Sequence, residues 1–187
     1  MTVEHWSNLK CHPSTRTVTV RAIGVLVRRS ASELQVTFRL DGDIPRIRIA
    51  SPGVPRINTE LWRHTCFEAF IAVDGQQAYH EFNFAPSGEW CVYALSGYRN
   101  GGPVADETMR PQIAVRSSGN KLELDALVRL DSLSAIHPRA SLRIGLSAVV
   151  ESSDGLSYWA LRHRTDKPDF HDADGFALLL EPPSPEG

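Results

Sequence analysis

The chain has 187 residues, a formal net charge of −2 and an apolar content of 42%. This composition is typical of a globular protein and is too hydrophobic for a disordered chain. The length predicts a single domain over residues 1–180, followed by a proline-rich flexible tail at 181–187. The charge lacks the basic excess that nucleic acid requires, and no apolar run approaches the roughly 18 residues of a membrane span. We therefore expect neither nucleic acid nor a membrane as a partner.

Cysteine usage and the first residues indicate the compartment. Cys11, Cys66 and Cys91 have no CxxC spacing, so neither a disulfide framework nor a zinc site is predicted. The N-terminal sequence has no basic stretch followed by an apolar core, which is the pattern of a signal peptide. We expect a cytoplasmic protein.

Apolar residues alternate with polar ones through most of the chain, as in half-buried β-strands. In chain order, this alternation predicts strands at residues 17–27, 34–40, 67–73, 78–84, 89–95, 112–117, 121–130, 142–150, 158–161 and 176–180. The predicted strands number about ten and are separated by turn signals, and no segment has the pattern of a long helix. The sequence therefore predicts an all-β fold, an antiparallel β-sandwich or barrel.

The predicted hairpin around Asp74-Gly75 contains the first candidate functional residues. If these two residues form a two-residue turn, residues whose numbers add up to 149 face each other. Glu68 then lies opposite Glu81, and Asn83 shares their face, while the other face is apolar and looks like core. Like charges opposite each other destabilise a strand pair, so this pair needs an offsetting partner.

Several partners satisfy that requirement, and the sequence leaves them open. An arginine such as Arg99 or Arg162 predicts a structural ion-pair network. A polar ligand, a bound cation or a shared proton predicts a binding face. Two carboxylates at roughly 5 Å also match the catalytic pair of a retaining glycosidase.

Two tryptophans have polar neighbours that favour a binding role as much as a core role. Trp62 precedes the hairpin, and Trp159 stands between Tyr158 and a polar segment. Flat aromatic rings stack on the apolar faces of sugars, while acids, amides and arginines hold their hydroxyls. Trp90, on an alternating strand, is predicted to lie in the core.

The most polar stretch of the chain runs from residue 162 to residue 174. Long loops on a β scaffold often carry function. Its candidates for ligand contact are Arg162, His163, Lys167, Asp169 and His171. The His and Asp spacing matches neither an EF-hand nor an HExxH site, so no metal site is predicted, and a solvated loop is the alternative.

Two blocks carry a recognisable combination of residues, LWRHTCFEAFIAVDGQQAYHEFNFAPSGEWCVYALSGY at 61–98 and YWALRHRTDKPDFHDADGF at 158–176. The pattern depends on Trp62, 66–70, 79–84, 86–88, Trp90, Tyr93, Tyr98, Arg99, 158–161, His163 and 168–171. Together the blocks resemble the DOMON-like group of proteins related to family 9 carbohydrate-binding modules.

The resemblance implies an immunoglobulin-like β-sandwich of about ten strands that binds a ligand and is not catalytic. In family 9 modules two tryptophans clamp a sugar end while Glu, Asn, Arg and Lys contact its hydroxyls, so Trp62 and Trp159 are the candidates for the clamp. Some of those modules hold a structural calcium, and heme is a ligand elsewhere in the superfamily.

The expected function is a noncatalytic binding module for a carbohydrate or a similar small polar ligand. The candidate ligand-binding residues are Trp62, Glu68, Glu81, Asn83, Arg99, Trp159, Arg162, His163, Lys167, Asp169 and His171. One alternative is a heme-binding DOMON-type domain, with Met109 as an axial ligand. The others are a hydrolase that uses Glu68 and Glu81, and a domain that meets a protein partner. No cofactor is expected, with calcium and heme as the alternatives.

Overall fold

The computed structural model describes residues 2–164 and 167–183, so residues 184–187 of the predicted tail lie outside the described residues. The described residues form twelve strands, β1 (Val3–Cys11), β2 (Val20–Arg29), β3 (Glu33–Gly42), β4 (Cys66–Val73), β5 (Tyr79–Phe84), β6 (Trp90–Gly97), β7 (Asn100–Pro103), β8 (Gln112–Ser117), β9 (Lys121–Arg129), β10 (Leu142–Ser152), β11 (Gly155–Ala160) and β12 (Leu178–Leu180). Their helical content is four 3₁₀ turns, at Ile44–Arg46, Leu61–Arg63, Glu107–Met109 and Ala173–Gly175. No helix in this part of the chain is long and apolar enough to span a membrane.

The strands form two antiparallel layers. Sheet 1 has the order β1-β2-β3-β9-β8, and sheet 2 has the order β7-β6-β5-β4-β10-β11. The end of β1 also pairs with β11, and β12 pairs with the first residues of β10. This arrangement confirms the predicted all-β antiparallel sandwich.

The core lies between the two sheets and follows the alternation seen in the sequence. Phe38 of β3 and Phe67 of β4 meet across it, with ring centroids 5.0 Å apart. Trp90 is fully buried in the same cluster, as predicted. Because one face of each central strand fills the core, residues of opposite parity in sheet 2 point to its outer face.

Two strands, β1 and β7, were not predicted. One face of β1 is exposed and includes Trp6, while the opposite, mostly half-buried face includes the polar residues His5 and Ser7, so no regular apolar alternation marks the strand. The sequence of β7 is Asn-Gly-Gly-Pro, and this edge strand pairs only with β6. Both form because a neighbouring strand offers backbone hydrogen bonds, a tertiary effect that side-chain pattern does not record.

The predicted register of the central hairpin is wrong. Glu68 lies opposite Asn83, and Phe70 lies opposite Glu81, so facing residue numbers add up to 151. The connection from Asp74 to residue 78 is longer than the assumed two-residue turn. The slip is two residues, and because side chains alternate with a period of two, every residue keeps its predicted face.

The outer face of sheet 2 carries a second apolar cluster. Phe70, Tyr79 and Phe176 pack together there, with the Phe70 and Phe176 rings stacked at a centroid distance of 5.4 Å. Gly145 of β10 lies opposite Phe70, and a Cβ at this position would come within 2.6 Å of the Phe176 ring. The absence of a side chain at Gly145 therefore lets residues 168–176, here called the capping segment, lie against the sheet.

We expect Gly145→Ala to lower the free energy of unfolding by roughly 1–3 kcal/mol, because the new methyl group overpacks the Phe176 ring. Urea titration measures this change. Gly102→Ala is the matched control, since a Cβ there meets nothing within 4 Å. Equal stabilities of the two variants would contradict the close packing of Phe176 on Gly145.

Candidate functional site

A pocket of about 430 Å³ opens on the outer face of sheet 2, beside the capping segment. Strands β4, β5, β6, β7, β10 and β11, the 3₁₀ turn at Leu61–Arg63 and the capping segment contribute to it. Its lining consists of Trp62, Glu68, Glu81, Tyr93, Leu95, Arg99, Gly101, Val149, Tyr158, Pro168, Phe170 and His171. Because most of these side chains stand on paired strands, the pocket is held by the rigid part of the fold.

Two buried carboxylates, Glu68 and Glu81, line this pocket with only 3% and 7% of their surfaces exposed. The Ser147 hydroxyl, from the residue opposite Glu68 on β10, donates to Oε2 of Glu68 at 2.8 Å. The Asn83 amide donates to Oε1 of Glu81 at 2.7 Å. Neutral donors therefore hold one oxygen of each carboxylate.

No arginine or lysine of the described residues has a nitrogen within 4 Å of either carboxylate. Burial, together with the nearby Glu81 charge, raises the pKa of Glu68 to about 8. Burial also raises the pKa of Glu81. Glu68 therefore keeps a proton at neutral pH, which corresponds to the shared proton among the partners that the sequence left open.

Arg99 is the cation nearest to the pair, but it is engaged elsewhere. It occupies the turn between β6 and β7 with a φ of 52°, and its Nη2 donates to Asp169 at 2.9 Å. The Tyr98 hydroxyl donates to the other oxygen of Asp169 at 2.6 Å. Although burial opposes it, these hydrogen bonds lower the pKa of Asp169. Without an ion pair to either glutamate, the Arg99 charge partly opposes the rise that burial causes in their pKa values.

Hydrogen bonds connect the capping segment to β5 and to the turn between β6 and β7, and they place the His171 ring beside Glu81. The Arg99 backbone N–H donates to the Tyr79 hydroxyl at 3.3 Å, and this hydroxyl lies 2.8 Å from Nδ1 of His171. Burial, with the Arg99 charge, lowers the pKa of His171 to about 4, so the imidazole is neutral at pH 7. With Tyr79 donating to Nδ1, the ring proton belongs on Nε2, which lies 3.7 Å from Oε2 of Glu81.

Aromatic side chains form the walls of the pocket. The Trp62 indole is 48% exposed, and the Arg63 guanidinium lies 5.1 Å from its ring centroid. Tyr93 donates its hydroxyl to the Thr59 carbonyl at 2.6 Å. Tyr158 and Phe170 lie with ring centroids 6.1 Å apart. These faces can stack on a flat apolar ligand surface.

The prediction that Trp159 faces the ligand is wrong. Trp159 is 5% exposed, belongs to the core cluster and donates its indole N–H to Ser157 at 3.0 Å. It pairs with the core residue Ala148, whereas Tyr158 pairs with Val149, which lines the pocket. Strand alternation therefore turns Trp159 inward and puts its neighbour at the site.

The other candidates fall into three groups. Trp62, Glu68, Glu81, Arg99 and His171 line one pocket, which confirms that these residues come together. Asn83 and Asp169 support it through hydrogen bonds to Glu81 and Arg99. The remaining three, Arg162, His163 and Lys167, are not among its lining residues.

His163 is explained by packing. One of its ring nitrogens lies 2.8 Å from the Lys10 carbonyl oxygen, and its ring meets that of His12 edge to face at 4.9 Å. Sequence reasoning did not select Tyr93, Tyr158 and Phe170 as ligand contacts. Each of them lies close in the sequence to a residue that was selected, and this proximity could have indicated them. To choose between Tyr158 and Trp159, however, one must know which face of β11 each side chain occupies.

Within residues 2–164 and 167–183, no three His, Cys, Asp or Glu side chains cluster as a metal site would require. Met109, the candidate heme ligand, is partly buried against the core. Calcium and heme stay predictions that the geometry does not test.

No protein-family model and no curated protein matches the sequence. Among solved structures, the chain is similar to a "putative carbohydrate-binding protein" from Bacteroides uniformis ATCC 8492, with a TM-score of 0.71 and 11% identity over 91% of this chain and 83% of that one. It is also similar to a family 9 carbohydrate-binding module from Caldicellulosiruptor kristjanssonii in complex with cellotriose, with a TM-score of 0.53 and 12% identity over 84% and 72% of the two chains. A complex of such a module with glucose gives a TM-score of 0.53 and 14% identity over 84% and 73%.

The chain has the fold of family 9 carbohydrate-binding modules. The comparisons therefore confirm the fold that the sequence resemblance implied. At these identities the likeness establishes the fold alone.

We expect Glu68→Gln to stabilise the protein at alkaline pH. The native state keeps a proton that the unfolded chain releases near the ordinary glutamate pKa of 4.5, so the free energy of unfolding falls as pH rises from about 4.5 to about 8. The glutamine carbonyl still accepts from Ser147 and carries no charge. Urea titrations should give a gain of roughly 1–3 kcal/mol at pH 9 and little change at pH 4.5.

Glu33→Gln, at an exposed carboxylate at the start of β3, is the matched control for charge removal. It should leave the pH dependence of stability unchanged. If Glu68→Gln left the pH dependence unchanged as well, the buried pair would not be holding a proton.

Proposed function

We propose that this chain is a noncatalytic carbohydrate-binding module whose ligand occupies the pocket on the outer face of sheet 2. The observation that carries the proposal is the half-exposed Trp62 indole in one pocket with the buried carboxylates Glu68 and Glu81. An exposed indole costs free energy in water, and here it lines a concave surface with polar groups at its base.

The polar groups match the chemistry of sugar hydroxyls, each of which both donates and accepts hydrogen bonds. A carboxylate pair that keeps a proton offers acceptors and one donor. Arg99 adds N–H donors at the rim, and the neutral His171 is held in place by Tyr79. Trp62, Tyr93 and Tyr158 offer faces for the C–H surfaces of a pyranose ring.

The size of the pocket suits a small ligand. A volume of about 430 Å³ lies within the range of roughly 300–1,000 Å³ of small-molecule sites. We infer a ligand of one or two sugar rings. The structural likeness to family 9 modules in complex with cellotriose and glucose supports a carbohydrate as the ligand class.

The protonation of the pair favours binding over hydrolysis. A retaining glycosidase pairs a protonated acid with an ionised nucleophile, so the two carboxyl groups need pKa values that are pushed apart. Here burial raises the pKa of both Glu68 and Glu81. Among the described pocket residues, His171 has its Nε2 3.7 Å from Oε2 of Glu81, but burial lowers the pKa of His171 to about 4, so the neutral imidazole does not hold Glu81 ionised by an ion pair.

The test is isothermal titration of the full chain with glucose, cellobiose, N-acetylglucosamine and glucosamine. We expect at least one sugar to bind, and Trp62→Ala to weaken it by at least about tenfold, or about 1.4 kcal/mol. Trp6→Ala is the matched control, because Trp6 is 49% exposed beneath an arginine, Arg39, but lies on sheet 1.

Binding that survives in Trp62→Ala, or that is lost equally in Trp6→Ala, would contradict this site. The same samples incubated with nitrophenyl glycosides report turnover. Release of nitrophenol that Glu68→Gln abolishes would favour the hydrolase instead.

A further inference from the structure

We propose that the preferred ligand is an amino sugar, whose ammonium group is held by Glu68 and Glu81. The inference rests on the proposed carbohydrate function and names the class of sugar. It comes from the charges that face the pocket and from the hydrogen bonds that those charges already make.

The charged groups around the pocket do not balance. Glu68, Glu81 and Asp169 are acids, and the one arginine close to them, Arg99, already pairs with Asp169 at 2.9 Å. Both glutamates are more than nine-tenths buried, so water solvates them poorly. In the described residues, no arginine or lysine nitrogen lies within 4 Å of either carboxylate. A cation on the ligand would supply this missing counter-charge.

The other titratable groups near the pair do not supply that charge. Burial raises the pKa of the Cys66 and Cys91 thiols and of the Tyr79 and Tyr93 phenols. It lowers the pKa of the His171 imidazole. All five groups are therefore neutral at pH 6–7. Tyr158 also lines the pocket, and a tyrosine side chain carries no positive charge.

The hydrogen bonds leave acceptors for an ammonium. Ser147 holds Oε2 of Glu68, and Asn83 holds Oε1 of Glu81. Among the described residues, no hydrogen bond within 3.5 Å reaches Oε1 of Glu68 or Oε2 of Glu81, although Nε2 of His171 lies 3.7 Å from the latter, so both oxygens remain for the ligand. An ammonium has three N–H donors and no acceptor, so it can serve both carboxylates at once, whereas a hydroxyl has one hydrogen to donate.

The aromatic walls favour the same choice. Trp62, Tyr93 and Tyr158 line the pocket, and an ammonium is attracted to aromatic rings as well as to carboxylates. A neutral sugar meets only the stacking part of this surface. An acidic sugar meets the negative charge that remains on the Glu68–Glu81 pair, and Arg99 is engaged by Asp169, so it should be rejected.

Binding also changes the protonation of the pair. Without ligand, Glu68 keeps a proton at pH 6. An ammonium between the two carboxylates stabilises the ionised form of Glu68, so its proton passes to the buffer as the amino sugar binds. Atoms and charge balance, because one positive charge enters the pocket as one proton leaves it.

The experiment is isothermal titration of the full chain at pH 6 with glucosamine, glucose and N-acetylglucosamine, repeated in two buffers of different ionisation enthalpy. We expect glucosamine to bind at least about tenfold more tightly than either neutral sugar, with release of about one proton. In Glu68→Gln and in Glu81→Gln, the preference should fall to less than about threefold and proton release should decrease.

The outcomes separate the two proposals. Equal affinity for glucosamine and glucose in the unmodified chain would overturn the amino-sugar inference and leave the carbohydrate site in place. Binding of no sugar would overturn the proposed function and this inference with it. Ethanolamine that binds as tightly as glucosamine would show that the pocket selects a cation without a sugar ring, which also overturns the inference.

Discussion

In the described part of the chain, two carboxylates are buried with no arginine or lysine nitrogen within 4 Å, and this is the constraint around which the site is organised. Glu68 and Glu81 stand on β4 and β5, the strands whose opposite faces contribute Phe67 and Phe82 to the core. These strands cannot rotate to expose the acids without exposing the core. The acids are therefore held out of water by the same packing that stabilises the sandwich, and burial raises the pKa of each.

The elements that cover the acids are joined by polar contacts to the turn between β6 and β7. Asp169 accepts from Tyr98 and Arg99, and His171 lies at hydrogen-bond distance from Tyr79. Phe176 completes the cover by packing over Gly145. Two buried acids with no ion-pair partner cost stability that apolar residues of similar size would not. Their presence in a pocket with aromatic walls fits a binding site on a rigid scaffold.

Much of this arrangement follows from period-two alternation, which the sequence displays. The strands around Glu68 and Glu81, their common face and the core position of Trp90 were all predictable from it. The predicted faces are correct even though the predicted register is wrong, because a slip of two residues leaves each side chain on the same face. The alternation rule failed at β1 and β7, where exposed or glycine-rich residues pair through the backbone.

The sequence by itself determined the fold class, the face that carries the acids and five of the residues that share the pocket. Only the tertiary structure decided that Tyr158 and not Trp159 reaches the site, that Arg99 pairs with Asp169, and that no arginine neutralises Glu68. The physical reason is the distance along the chain over which each effect acts. Alternation is a local property of one strand, whereas charge pairing and burial depend on segments that lie far apart in the chain and meet only when the sheets close.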